Sequence, residues 1–92
     1  MTNLIIAYDL NRPGQNYEGV RDAIKSLGSW YQLQYSLFFV EANLTVQQAY
    51  DFIRAFMDAD DKLMVADARN MWFGNYAPAD IAAIQAQWSN AA

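Results

Sequence analysis

The 92-residue chain contains no histidine and no cysteine. That excludes imidazole bases, thiol nucleophiles and the usual zinc ligand sets. It also excludes disulfides, and the composition fits a reducing, cytoplasmic setting. Cations are scarce: six Lys and Arg stand against ten Asp and Glu, for a net charge of -4. Such a balance argues against a general phosphate-backbone binder, but leaves room for a local basic strip or a metal bridge to phosphate. No apolar run approaches the roughly 20 residues that span a bilayer. The short apolar run near the start has no basic region before it, which argues against a signal peptide. No membrane partner is expected. Any chemistry must run on carboxylates, hydroxyls, amides, a few cations and a hard metal ion.

What is abundant is apolar surface. The hydrophobic share is 54% and the aromatic share 15%, far above what a disordered chain carries. One domain over residues 1–92 is expected, with a core over about 1–70 and a C-terminal cover or dimer segment over about 71–92. The run Leu4-Ile5-Ile6-Ala7 ending in Tyr8-Asp9 predicts a strand over about Asn3–Asp9. Pro13-Gly14 occupies the centre of a type II turn. Tyr17, Val20, Ile24 and Leu27 recur at helical spacing, so a helix is expected over about Asn16–Leu27. Gly28 stands where a left-handed C-cap belongs. Ser29–Leu33 and Ser36–Glu41 read as a hairpin that turns near Gln34-Tyr35.

Thr45 and Gln48 form a capping box, so a second helix starts at Val46 and ends near Met57. The turn Asp58-Ala59-Asp60-Asp61 lacks the glycine and distal glutamate of a calcium loop and reads as a solvated helix-to-strand turn. Lys62–Ala66 is a fourth strand. Met71–Tyr76 forms either a fifth strand or a packed loop. Pro78 begins a last helix that carries Ile81, Ile84 and Trp88 on one face. The order is β-α-β-β-α-β, the ferredoxin-like split βαβ arrangement, an α+β sandwich with a C-terminal extension. Both faces of its sheet are apolar, since Leu4, Ile6 and Tyr8 oppose Ile5 and Ala7. A second cover is therefore needed. It is either the C-terminal segment or, the choice favoured here, a second copy of the chain. Trp72 and Phe73 are expected to bury, one in the local core and the other against the partner subunit.

Asp9 leads the candidates for chemistry. A carboxylate at a strand tip either accepts backbone N–H groups from the Asn11–Gly14 turn or binds a hard cation such as magnesium or manganese. In a twofold dimer two Asp9 residues can share one ion. Arg12, Arg21 and Lys25 are the cations able to line up near it, although Glu18 and Asp22 also make an ordinary charged helix face. Trp30, Tyr31 and Tyr35 either stack on bases or pack in a core or interface. Ser36 has no imidazole or lysine partner and is not read as a nucleophile.

Tyr8-Asp9-Leu10 after an apolar strand, Leu27-Gly28, Gln34-Tyr35-Ser36-Leu37-Phe38 and Leu44-Thr45 together resemble CRISPR-associated protein two over about residues 3–67. The whole chain, including Asn11–Gln15 and the late tryptophan segment, is similar to the SinR-like branch of that superfamily, and more distantly to the VapD-like toxins. The resemblance implies a homodimer formed through the sheets, with Asp9 holding a divalent ion between subunits. It implies metal-dependent endonuclease activity on RNA or DNA in some members and a DNA scaffold in others. Arg12 would assist at the phosphate, while Tyr8, Ser36 and Phe38 would lie near the site. Family members carry several arginines or lysines after the aspartate. This chain has Asn11-Arg12-Pro13-Gly14-Gln15, which argues against scaffolding on DNA. The alternative function is a non-catalytic dimerisation or binding module of a defence or toxin-antitoxin locus.

Overall fold

The computed structural model describes residues 2–10, 17–69 and 74–88. They form an α+β arrangement of one four-stranded antiparallel sheet and three helices. In chain order these are β1 (Thr2–Asp9), α1 (Tyr17–Lys25), β2 (Gly28–Gln34), β3 (Leu37–Ala42), α2 (Val46–Arg54), β4 (Lys62–Asp67) and α3 (Pro78–Trp88). The strand order is β2-β3-β1-β4, with β1 and β3 central. No helix among the described residues is long and apolar enough to cross a membrane.

The two-residue period of β1 puts Leu4, Ile6 and Tyr8 on one face. The register sets Leu4 opposite Val40 and Ile6 opposite Phe38. On that face they form the main core with Ala42, under Val20 and Ile24 of α1 and Ala49 and Ile53 of α2. Each fully buried aliphatic or aromatic side chain contributes roughly 1.5–3 kcal/mol relative to exposure. The capping box of α2 is present. The Gln48 amide N–H donates to Thr45 Oγ1 at 3.1 Å, and the Thr45 N–H donates to Gln48 Oε1 at 2.9 Å. The cap contributes on the order of 1 kcal/mol. α2 stops at Arg54, short of the expected Met57, because Phe56 and Met57 donate to Ile53 and Arg54 carbonyls in a tightened last turn.

Gly28 is not a helix cap. α1 ends at Lys25, closed by Ser26 Oγ donating to the Ala23 carbonyl at 2.7 Å and by the Leu27 N–H donating to Ile24. Gly28 is the first residue of β2 and lies directly against Ala42 of β3. It stands there for lack of room. A Cβ would sit 2.1 Å from the Glu41 carbonyl oxygen. The β2–β3 hairpin turns without a strong turn dipeptide because the register shifts between Gln32 and Gln34. The Gln32 side-chain amide then holds the Tyr35 carbonyl at 2.9 Å, fixing the turn.

The second sheet face is where the fold departs from expectation. The apolar pattern alone favours a second copy as its cover, but α3 of the same chain packs over β2 and β3. Ile84 is fully buried against Phe39, with Ile5, Tyr31 and Leu33 around them. The intramolecular cover therefore holds over this half of the face. Over the β1–β4 half, Ala7 and Ala66 are only part-buried and Met64 is 52% exposed. Gly74–Ala77, ahead of α3, is irregular rather than a strand, and Asn75 takes a left-handed φ of 64° that asparagine tolerates. The Asn11–Gly14 turn and Met71, Trp72 and Phe73 lie outside the described residues.

Two side-chain hydrogen bonds tie α3 and the segment leading into it to the sheet. The Tyr31 hydroxyl donates to Asp80, and Gln34 Nε2 donates to the Tyr76 hydroxyl at 2.9 Å. The hydrogen bond to Asp80, then burial and the carboxylate charge, raise the Tyr31 pKa above its ordinary 10.0. A raised folded-state pKa means the latch stabilises fully below about pH 10 and is lost as pH rises through the higher folded value. Tyr31→Phe is therefore expected to lower Tm at neutral pH and to flatten its fall at alkaline pH. Parallel alkaline profiles for the two proteins in thermal melts would show that the latch contributes nothing.

Candidate functional site

The C-terminal tip of β1 brings together Asp9, Tyr8 and Ser36, with Phe38 packed behind Tyr8. Asp9, the last residue of the strand, is exposed. Tyr8 points to the opposite face, where it is buried and stacked on Phe38 at a ring separation of 6.5 Å. The Tyr8 N–H donates to the Ser36 carbonyl at 3.2 Å, which holds the β2–β3 turn against the strand end. Ser36 thus serves the tip through its backbone. Phe38 is fully buried and serves as core. The pleat separates Asp9 from Tyr8, so the carboxylate shares a face with Ala7 and Ile5. Its register partner on β4 is Lys62. Arg12, Trp72 and Phe73 lie outside the described residues.

Arg21 and Lys25 do not converge on Asp9. They lean from α1 onto the β2 side of the sheet, over aromatic rings. The Arg21 guanidinium carbon lies 5.6 Å from the Tyr35 ring centroid, and Lys25 Nζ lies 4.5 Å from that of Trp30. Hydrogen bonding with Tyr35 raises the Arg21 pKa above its ordinary value, burial opposes this, and Tyr8 adds to it. The sequence shows both cations one turn apart and both rings on the hairpin, yet the pairing needs the packing angle of α1 on the sheet. Reading along the chain missed it for that reason.

The acidic turn is a closed structural unit. Asp61 is buried, and its Oδ2 accepts the Asp58 N–H at 2.8 Å. Arg54 donates to the Asp61 and Ala59 carbonyls at 2.8 and 2.7 Å. One of its four residues is thus buried rather than solvated, as the backbone of a tight turn demands. At the far end of β1 an open groove of about 440 Å³ is lined by Ser26, Leu27, Asn43, Leu44, Gln48 and Phe52. Gln48 is already engaged in the capping box, and no titratable group lines the groove. Among the described residues no group of three or more acidic side chains converges.

No protein-family model matches the chain, and no solved structure matches it.

Proposed function

We propose that this chain is a ferredoxin-like protein of the CRISPR-associated protein two superfamily, acting as a homodimer that cleaves RNA or DNA with magnesium or manganese at Asp9. The observation that carries the reading is an exposed aspartate ending a central strand of a β2-β3-β1-β4 sheet built in βαββαβ order. Asp9 from each copy would hold the ion across the twofold axis. The part-exposed β1–β4 half of the second face, with Met64, supports a partner on that side. The bound ion supplies an activated water and offsets phosphate charge. Asp9 contributes the negative oxygens, and Arg12 would orient the phosphate.

The test compares oligonucleotide cleavage by the native protein and Asp9→Asn, each with magnesium, with manganese and with chelator. Cleavage is expected to fall on the order of 100-fold or more in the variant and to vanish with chelator. Sedimentation should find a dimer at low micromolar concentration. Equal cleavage by both proteins overturns Asp9 as the metal ligand.

A non-catalytic binding module is the second reading. The register favours it by setting Lys62 opposite Asp9, a cation that can serve the carboxylate without any metal. On this reading Asp9→Asn and the native protein are equally inert.

A further inference from the structure

We propose that the outer strip of α2, formed by Phe52, Phe56 and the groove beside Phe52, docks a basic amphipathic helix of a protein partner. The proposal goes beyond the cleavage reading and does not depend on Asp9. Phe52 is 43% exposed and Phe56 47%, and their rings meet one turn apart at a centroid distance of 5.5 Å. Phe52 also lines the open groove of about 440 Å³, whose apolar lining continues through Leu27 and Leu44. Rings and groove make one continuous apolar strip. Among the described residues the chain's other helices are engaged elsewhere. α1 packs beside α2 on one sheet face through Val20 and Ile24, and α3 lies on the other. An apolar patch of this kind on a small domain marks a contact surface.

Charge selects the occupant. Asp22 lies one turn before the groove residue Ser26, and Asp51 lies between Gln48 and the two rings. Asp58 and Asp60 follow Phe56 in the turn, and all four carboxylates are exposed. The described cations are turned elsewhere. Arg21 and Lys25 lie over the Tyr35 and Trp30 rings, and Arg54 donates to the Ala59 and Asp61 carbonyls. Arg69 pairs with Asp67, and Lys62, opposite Asp9, is on the sheet face away from α2. A strip with a rim of one sign repels a second copy of itself, because each copy brings the same carboxylates and a net charge of -4. Phosphate chains and anionic lipid surfaces are repelled for the same reason. A basic protein segment is attracted.

Shape selects a helix. A strand would need a sheet edge, and neither edge strand, β2 or β4, lines the groove. The groove is too open to enclose most of a small molecule's surface. A helix laid along α2 presents apolar anchors at i, i+3 or i+4 and i+7, which suits two rings one turn apart and an adjoining groove.

The experiment measures fluorescence anisotropy of a labelled helical peptide of about 15 residues, with leucines on one face and lysines elsewhere, against the native protein. Binding is expected in the micromolar range, as for a small interface. A peptide of the same composition with its leucines scattered round the helix should bind at least about tenfold more weakly, as should one with glutamate in place of lysine. Phe52→Ala and Phe56→Ala should each weaken binding about tenfold, the loss of a large aromatic contact. Ala55→Lys, exposed at the end of α2 between the rings, adds a cation without touching the core. It should weaken binding several-fold at low salt and less at high salt, with an unchanged Tm that separates loss of surface from loss of fold. Tyr35→Ala, an exposed ring off the strip, should bind like the native protein. Asp9→Asn should do the same, so that failure of the cleavage reading leaves this one standing. No peptide binding at low salt, equal binding of the scattered peptide, or unchanged binding by both Phe52→Ala and Ala55→Lys would each overturn the proposal. Native self-association that Ala55→Lys abolishes, without peptide binding, would give the strip to a second copy and overturn it as well.

Discussion

Phe38→Ala is expected to destabilise the protein by about 3–5 kcal/mol, the range for emptying a buried aromatic site. Phe38 is fully buried on central strand β3, stacked on Tyr8 and tilted against Trp30 at 6.0 Å. Its neighbours cannot collapse into the space, because Tyr8 and Trp30 are held by two different strands and the helices are anchored elsewhere in the core. A domain of this size has roughly 5–14 kcal/mol of total stability at 0.05–0.15 kcal/mol per residue. The loss is therefore a large fraction of the total stability. Thermal denaturation should show Tm lowered by more than about 12 °C, at about 4 °C or more per kcal/mol. A fall of less than about 4 °C would mean that the Tyr8–Phe38–Trp30 stack is not a central part of the core.

Gly28→Ala should cost about 3 kcal/mol, at the top of the range for overpacking. The added Cβ would lie 2.1 Å from the Glu41 carbonyl oxygen, 3.1 Å from its carbon and 3.2 Å from the Ala42 Cα. All three atoms are backbone, so no rotamer change relieves the clash and the β2–β3 pair must move apart. The small gain from a stiffer unfolded chain, about 0.4–1 kcal/mol, does not offset it. Gly74→Ala is the control: a Cβ there meets nothing within 4 Å, and the Tm should hold or rise slightly. Comparable melts for the two variants would refute the steric account.

The two glycine readings show where sequence reasoning ends. A glycine after a helix has two physical uses, left-handed backbone or close approach. Only the neighbouring strand tells them apart. The same holds for Asp61, which looks like any other member of an acidic turn until Arg54 is seen gripping the carbonyls around it. Asp9 was legible as a strand-tip carboxylate because strand period and run length are local. Its face and its neighbour Lys62 were not, because they follow from the pairing of β1 with β4, more than fifty residues on.

The capping box of Thr45 and Gln48, the alternation of Leu4, Ile6 and Tyr8, and the helical spacing of Val20 and Ile24 were determined by the sequence alone. Each is set by backbone geometry over a few residues, and each formed where the pattern put it. The order β2-β3-β1-β4, the return of α3 across Phe39, and the leaning of Arg21 and Lys25 onto Tyr35 and Trp30 were decided only in the tertiary structure. An apolar sheet face accepts any apolar cover of matching shape, whether from the same chain or another. Which cover takes it depends on what long-range packing brings within reach. Here Tyr31 and Asp80, forty-nine residues apart, hold the chain's own last helix in that place.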